Sequence, residues 1–166
     1  LEDFQRRIES VPREVRITFS GFVEPWLNKH CSDMVLYAHE RGHPVSVFTT
    51  GIGMSIEDIE RIAHIPYVGD PNGGFTFHLP DSELLAKHPI TPGYIRLCEW
   101  LSDNRGRIQN FQVMSMGAQV HPDVAHCFDQ TFVVGQMWDR AGNLSREAIL
   151  KPELMNMQNR WNRIQH

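Results

Sequence analysis

The sequence lacks long hydrophobic runs and a strong charge of either sign. Its 166 residues carry 16 Lys and Arg against 20 Asp and Glu, which gives a formal net charge of −4. That balance gives no reason to expect nucleic acid or an anionic membrane surface as a partner. No apolar run is long enough to span a bilayer, and no secretory signal is visible. We therefore expect no membrane and no nucleic-acid partner.

Cysteine is scarce and widely spaced. Cys31, Cys98 and Cys127 are an odd number and lie far apart, which argues against a disulfide framework and favours a reducing, cytoplasmic setting. They also lack the close spacing of a structural zinc or iron–sulfur site. Cys31 and Cys98 fall on the apolar faces of predicted helices, so we interpret them first as small buried core residues. A reactive or metal-binding thiol is the alternative.

The sequence does contain a regular alternation of strand-like and helical segments. Short runs rich in β-branched and aromatic residues lie at 15–19, 45–49, 75–79, 111–116 and 131–134. Helical apolar spacing separates them, and a final stripe runs through residues 154–164. Strands alternating with helices predict right-handed crossovers and a parallel sheet in one α/β domain. Such strands can form an open doubly wound sheet or part of a barrel, and periodicity does not separate the two.

Three helix starts are predicted from local signals. Asn28 precedes one apolar helical pattern as a candidate N-cap. Ser55 is followed three residues later by Asp58, a variant of the capping box. Thr91 is followed by Pro92, which suits the first position of a helix.

Ligands of parallel α/β folds bind at the carboxyl ends of the strands. Glycine or polar residues follow every predicted strand, at 20–25, 49–53, 78–81, 115–117 and 135–140. Glycine lets a ligand approach the backbone closely, although it is also common in purely structural turns. The recurrence at all five ends predicts a shared ligand pocket.

The first of these ends carries the most specific pattern. Residues 17–28 read Ile-Thr-Phe-Ser-Gly-Phe-Val-Glu-Pro-Trp-Leu-Asn, which resembles the second-strand motif of radical S-adenosylmethionine enzymes. In that family a glycine-rich turn and a glutamate follow the strand and bind the methionyl ammonium of S-adenosylmethionine. Glu24 matches the glutamate and Gly21 one glycine, while Phe22 stands where many members have the second glycine.

Weaker similarity extends the resemblance over about residues 1–145. Residues 37–51 resemble the family's next helix and strand, and 77–81 occupy the place of its fourth strand. Residues 138–144 resemble a segment of members that carry a C-terminal cysteine-rich (SPASM-type) extension. The resemblance implies a partial (β/α) barrel of about five parallel strands with helices outside. Residues 146–166 would form a C-terminal helix.

The resemblance also implies a cofactor pocket. S-adenosylmethionine would be bound by Gly21, Phe22, Glu24, Thr49, Thr50, Gly51, His78, Ser115, Gly135 and Met137. The family's C-x3-C-x2-C loop, which holds a catalytic 4Fe-4S cluster, has no counterpart here. We therefore expect the cluster only in a parent protein that cleaves S-adenosylmethionine reductively and modifies a small molecule or a peptide. This chain would be an inactive fragment of that protein.

Two other functions stay open. The missing cysteines favour a non-catalytic α/β binding or interaction module. His78 and Asp81, which lie at the end of a predicted strand, could instead serve a metal-dependent hydrolase. A barrel cut beside the strand at 15–19 would leave an unpaired edge, and such edges tend to find partners. We accordingly expect a homo-oligomer or contact with flanking domains at that edge.

Overall fold

The computed structural model describes residues 1–20, 23–69, 73–84, 87–116, 119–128 and 133–135. Its helices are α1 (Glu2–Ile8), α2 (Cys31–Glu40), α3 (Ile56–Ile62), α4 (Pro92–Asn104) and α5 (Pro122–Ala125). Its strands are β1 (Ile17–Phe19), β2 (Val45–Thr49), β3 (Phe75–Leu79), β4 (Phe111–Met116) and β5 (Val133–Gly135). Short 3-10 turns lie at Pro25–Leu27 and Arg105–Arg107. In this part of the chain, no helix has the length and apolar character needed to cross a membrane.

The strands lie side by side in chain order, and all neighbours are parallel. Phe19 is opposite Val47, Thr49 is opposite Phe77, and Leu79 is opposite Ser115. The short β5 backbone runs parallel beside the end of β4. The predicted α/β class and the parallel sheet of β1 to β4 are confirmed. Barrel closure and a core of five full strands stay predictions.

Alternation along the strands gives the sheet two different faces. Side chains at alternate positions of a strand point to opposite sides. One set is apolar, fully buried and part of the helix-covered core: Val45, Val47, Phe75, Phe77 and Leu79. The helices contribute buried residues to the same core, among them Val35, Ala38, Ile59, Ile62, Leu97 and Leu101. The other set of strand residues is mainly polar: Thr18, Ser46, Thr76, His78 and Gln112.

Two of the three predicted helix caps are confirmed. At Ser55 the reciprocal bonds of a capping box with Asp58 are both present. Thr91 Oγ1 accepts a hydrogen bond from Tyr94 N at 3.1 Å, and Pro92 takes the first helical position. The prediction for Asn28 is wrong, because α2 begins at Cys31 with His30 as its N-cap. Asn28 Oδ1 instead accepts from His30 N at 3.0 Å, within the turn that precedes the helix.

The amino-terminal ends of β3 and β4 approach each other at Gly74. This glycine has a φ of +85°, and a Cβ placed on it would lie 2.5 Å from the carbonyl oxygen of Asn110. Gly74 O accepts from Val47 N at 2.9 Å, and Asn110 O accepts from Phe75 N at 3.1 Å. Any larger residue at position 74 would therefore disturb the start of two strand pairs.

Gly74→Ala should lower the free energy of unfolding by at least about 2 kcal/mol, because left-handed backbone is costly for a residue with a Cβ and the methyl group would overlap a backbone oxygen. Gly106→Ala is the matched control, since its Cβ would meet nothing within 4 Å. We expect that control to stay within about 0.5 kcal/mol of the parent. Urea unfolding measures both variants. Equal stability of the two would contradict this placement of Gly74.

Candidate functional site

The side chain of Glu24 joins the segment after β1 to the end of β2. Its carboxylate oxygen Oε2 accepts hydrogen bonds from Thr50 N at 2.8 Å and from Thr50 Oγ1 at 2.7 Å. The other oxygen, Oε1, accepts from the hydroxyl of Thr49 and, at 3.4 Å, from Trp26 N. Pro25 at the first position of the following 3-10 turn fixes the backbone there. The carboxylate is therefore held at the carboxyl ends of two neighbouring parallel strands.

The donors to Glu24 are themselves fixed in place. Thr49 is 1% exposed, and its Oγ1 accepts from Gly51 N at 2.8 Å. Gly51 has a φ of +77°, and a Cβ on it would lie 2.5 Å from the Phe77 ring. Only glycine fits this position, because both the backbone angle and the close ring exclude a side chain. The end of β2 thus presents its hydroxyls to Glu24 from a rigid turn.

Among the described residues, the groups that donate hydrogen bonds to the Glu24 carboxylate are all neutral. Two threonine hydroxyls and two backbone amides from this part of the chain reach its oxygens. Among the described residues, no Lys, Arg or His forms an ion pair with it. A cationic ligand group could therefore supply the missing counter-charge, and the rotating threonine hydroxyls could share the acceptor positions with it.

Glu24 borders a cavity of about 750 Å³ that runs along β1. That volume falls in the range typical of small-molecule sites, roughly 300–1,000 Å³. Apolar side chains form much of its wall, namely Phe4, Ile17, Phe19, Val23, Leu27 and Met34. Thr18, Ser20, Asn28, Lys29 and His30 add polar groups. The cavity is open beside the edge strand of the sheet.

The structure brings together four of the residues that the sequence predicted for one pocket. Glu24, Thr49, Thr50 and Gly51 are connected by the hydrogen bonds given above. His78 lies on β3, on the mainly polar face of the sheet, with its ring 6.3 Å from that of Phe48.

The remaining predicted residues lie elsewhere or outside the described part of the chain. Ser115 is fully buried and lies opposite Leu79, on the helix-covered face and away from His78. The backbone of Gly135 lies opposite Met116. Gly21, Phe22 and Met137, like the predicted helix at 146–166, are outside the described residues.

A group of buried polar residues lies beyond the end of β3, and of this group sequence reasoning identified Asp81 but missed His88 and Tyr94. Asp81 is 3% exposed, forms an isolated bridge with Val120 and accepts from Glu83 N at 3.1 Å. The rings of His88 and Tyr94 meet edge-on at 4.4 Å, and burial lowers the pKa of His88 to about 4. Tyr94 shares its helix face with buried Leu97, Cys98 and Leu101, so helical spacing could have placed it in the core.

The cysteines do not form a metal or cluster site in the described part of the chain. Cys31, Cys98 and Cys127 are free and buried, which confirms the predicted core positions of Cys31 and Cys98. Burial, with a smaller contribution from the Glu24 and Asp58 carboxylates, raises the pKa of Cys31 to about 12. Burial also raises the pKa of Cys98 to about 12. No group of three His, Cys, Asp or Glu among the described residues could hold a metal ion. These cysteines therefore do not fit a 4Fe-4S cluster.

Comparison with known proteins leaves the class of protein open. No protein-family model matches the chain. No curated protein matches it either. The radical S-adenosylmethionine resemblance therefore stays a prediction from the sequence, chiefly from the motif at residues 17–28.

The buried thiols of Cys31 and Cys98 should react slowly in the folded protein. At about pH 8 a thiol of pKa near 12 is ionised to only about one part in 10⁴, whereas an ordinary thiol of pKa near 8.5 is ionised to roughly a quarter. We therefore expect labelling by a disulfide reagent to be at least about 100-fold slower in the native protein than after denaturation in guanidinium chloride. Mass spectrometry assigns each labelled cysteine. A thiol that reacts at the denatured rate in the native protein would contradict its placement in the core.

Proposed function

We propose that the region around Glu24 is the S-adenosylmethionine-binding part of a radical S-adenosylmethionine-type core, and that Glu24 binds the methionyl ammonium. The observation that carries the proposal is the Glu24 carboxylate itself. It lies at the carboxyl ends of β1 and β2, where ligands of parallel α/β folds bind. Neutral donors orient it, none of the described cations pairs with it, and it borders a cavity of suitable volume.

The order of the strands supports a barrel type of core. A doubly wound sheet reverses its strand order at a switch point, and β1 to β4 follow one another without a reversal. Right-handed crossovers between sequential strands place all helices on one face. The opposite face would then be the barrel interior, which agrees with its mainly polar residues, among them Thr76 opposite Gln112. We propose the partial barrel on this basis.

The residues of this chain would bind and orient the cofactor. Glu24 would accept hydrogen bonds from the ammonium, while Thr49 and Thr50 keep its carboxylate in position. Apolar side chains such as Phe19 and Val23 would exclude water from one side of the cavity. In the family, the 4Fe-4S cluster supplies the electron that cleaves the cofactor. The buried cysteines of this chain do not fit such a cluster. We therefore assign cofactor binding to this chain, and we assign the modification of a small molecule or peptide to a parent protein.

An interaction module is the second candidate function. Val23 is 67% exposed and Leu27 is 62% exposed, and both border the cavity along β1, which pairs with β2 alone among the described strands. Exposed apolar side chains at an unpaired edge favour contact with another chain or domain. The metal-dependent hydrolase receives no comparable support, because the surroundings of His78 and Asp81 in the described part of the chain offer no metal-binding group.

Calorimetry with S-adenosylhomocysteine tests the proposal, since this stable analogue keeps the ammonium. We expect a dissociation constant below about 1 mM, which corresponds to a binding free energy stronger than about −4.1 kcal/mol. Glu24→Gln should weaken binding by about 10- to 100-fold, because a hydrogen bond to a charged group contributes about 1.5–3 kcal/mol. Glu14→Gln, at an exposed acid away from the cavity, is the matched control and should bind as the parent does.

A second ligand separates recognition of the ammonium from general loss of structure. Methylthioadenosine lacks the methionyl amino acid group, so its affinity should be weaker and unchanged by Glu24→Gln. Equal weakening of both ligands would show that Glu24 does not recognise the ammonium. Absence of any binding by the parent chain, together with concentration-dependent self-association in light scattering, would favour the interaction module.

A further inference from the structure

We propose that Ser32 and Asp58 are positioning residues for Glu24 and act on it through Trp26. The effect of these residues on ligand affinity rests on the proposed function. The hydrogen bonds that connect them to Trp26 do not depend on it. The contacts form one chain: Trp26 Nε1 donates to Ser32 Oγ at 3.1 Å, and Ser32 Oγ donates to Asp58 Oδ1 at 2.7 Å. This chain of hydrogen bonds connects the turn that follows Glu24 to helices α2 and α3.

The direction of the hydrogen bonds is determined by chemistry. An indole N–H can only donate, so the Ser32 oxygen must accept from Trp26. The hydroxyl proton of Ser32 is then free to point toward Asp58, which must accept it. Asp58 is suited to this role, since hydrogen bonds from Ser55 and Ser32 and the nearby charge of Arg61 outweigh burial and lower the pKa of its carboxyl. The carboxylate form thus persists over the neutral pH range.

Trp26 is confined on its backbone side as well. Its side chain is nearly fully buried, at 4% exposure. A Cβ on Gly53 would lie only 2.6 Å from Trp26 O, so the loop after β2 packs directly against this backbone. With the indole fixed by Ser32 and the carbonyl against Gly53, the Trp26 amide is held where it faces Glu24 Oε1.

Helix α3 provides the fixed end of the chain. Asp58 is the N3 residue of its capping box, where Oδ2 accepts from Ser55 N at 3.0 Å and from Ser55 Oγ at 2.7 Å. The Asp58 carboxylate therefore has two functions: Oδ2 caps the N-terminus of α3, and Oδ1 accepts the hydrogen bond from Ser32. Because the two functions use different hydroxyl donors, they can be separated by substitution.

The test compares Ser32→Ala with Ser55→Ala by amide and indole proton exchange, measured by NMR without ligand. Each variant removes one hydroxyl from the same Asp58 carboxylate, but only Ser32 touches Trp26. We expect Ser32→Ala to speed exchange of the Trp26 indole proton and of the Thr50 amide proton by about tenfold, the effect of losing one buried hydrogen bond. Ser55→Ala should leave both rates near those of the parent, because the Ser55 backbone amide still holds Asp58 Oδ2. Ser32→Thr, which keeps the hydroxyl, should restore them.

Affinity for S-adenosylhomocysteine is the second readout. If Ser32→Ala alters the exchange rates and weakens binding by about tenfold while Ser55→Ala does not, the positioning role is supported. If the exchange rates respond but the parent binds no ligand, the linkage stands and the proposed function fails. If the exchange rates of the Trp26 indole proton and the Thr50 amide proton do not change in Ser32→Ala, the positioning role is overturned, whatever the affinity for S-adenosylhomocysteine. Should Ser32→Ala fail to fold, Ser32→Cys applies the same criterion with a weaker hydrogen-bonding group in the same space.

Discussion

The hydrogen bonds that Thr49 and Thr50 donate to Glu24 connect the two strands on which the candidate site is built. β1 has only three residues and a single neighbour among the described strands, so its carboxyl end needs support from side chains. A carboxylate with several neutral donors provides that support without neutralising its charge. The same arrangement that secures the edge of the sheet therefore leaves a negative charge beside a cavity.

Close backbone packing makes this arrangement possible. Gly51 allows the turn after β2 to lie against the Phe77 ring, and Gly53 allows the next residues to approach Trp26. Each glycine has a positive φ, which residues with a side chain adopt at a cost. The polar groups at the site are thus oriented by the core beneath them rather than by contacts with solvent-exposed side chains. The carboxylate of Glu24 is oriented in this way before any ligand binds, as the proposed function requires.

The sequence could predict features that depend on local order. The alternation of strand and helix periods predicts the parallel α/β sheet, and the capping of Ser55 and Thr91 depends on residues three positions apart. The prediction for Asn28 is wrong because its side chain accepts a hydrogen bond within the preceding turn, and local sequence does not separate that turn from a helix cap. The link from Ser32 to Asp58 spans 26 positions and arises only when two helices pack, so no periodic signal could reveal it.

A double-mutant cycle between Glu24 and Thr50 tests the central interaction most directly. Urea unfolding of the parent, Glu24→Ala, Thr50→Val and the double variant gives the coupling free energy between the two side chains. The structure predicts a favourable coupling of at least about 1 kcal/mol, as expected for a hydroxyl that donates to a charged acceptor. A coupling near zero would show that the Thr50 hydroxyl does not hold the carboxylate. The geometry on which the candidate site depends would then be contradicted.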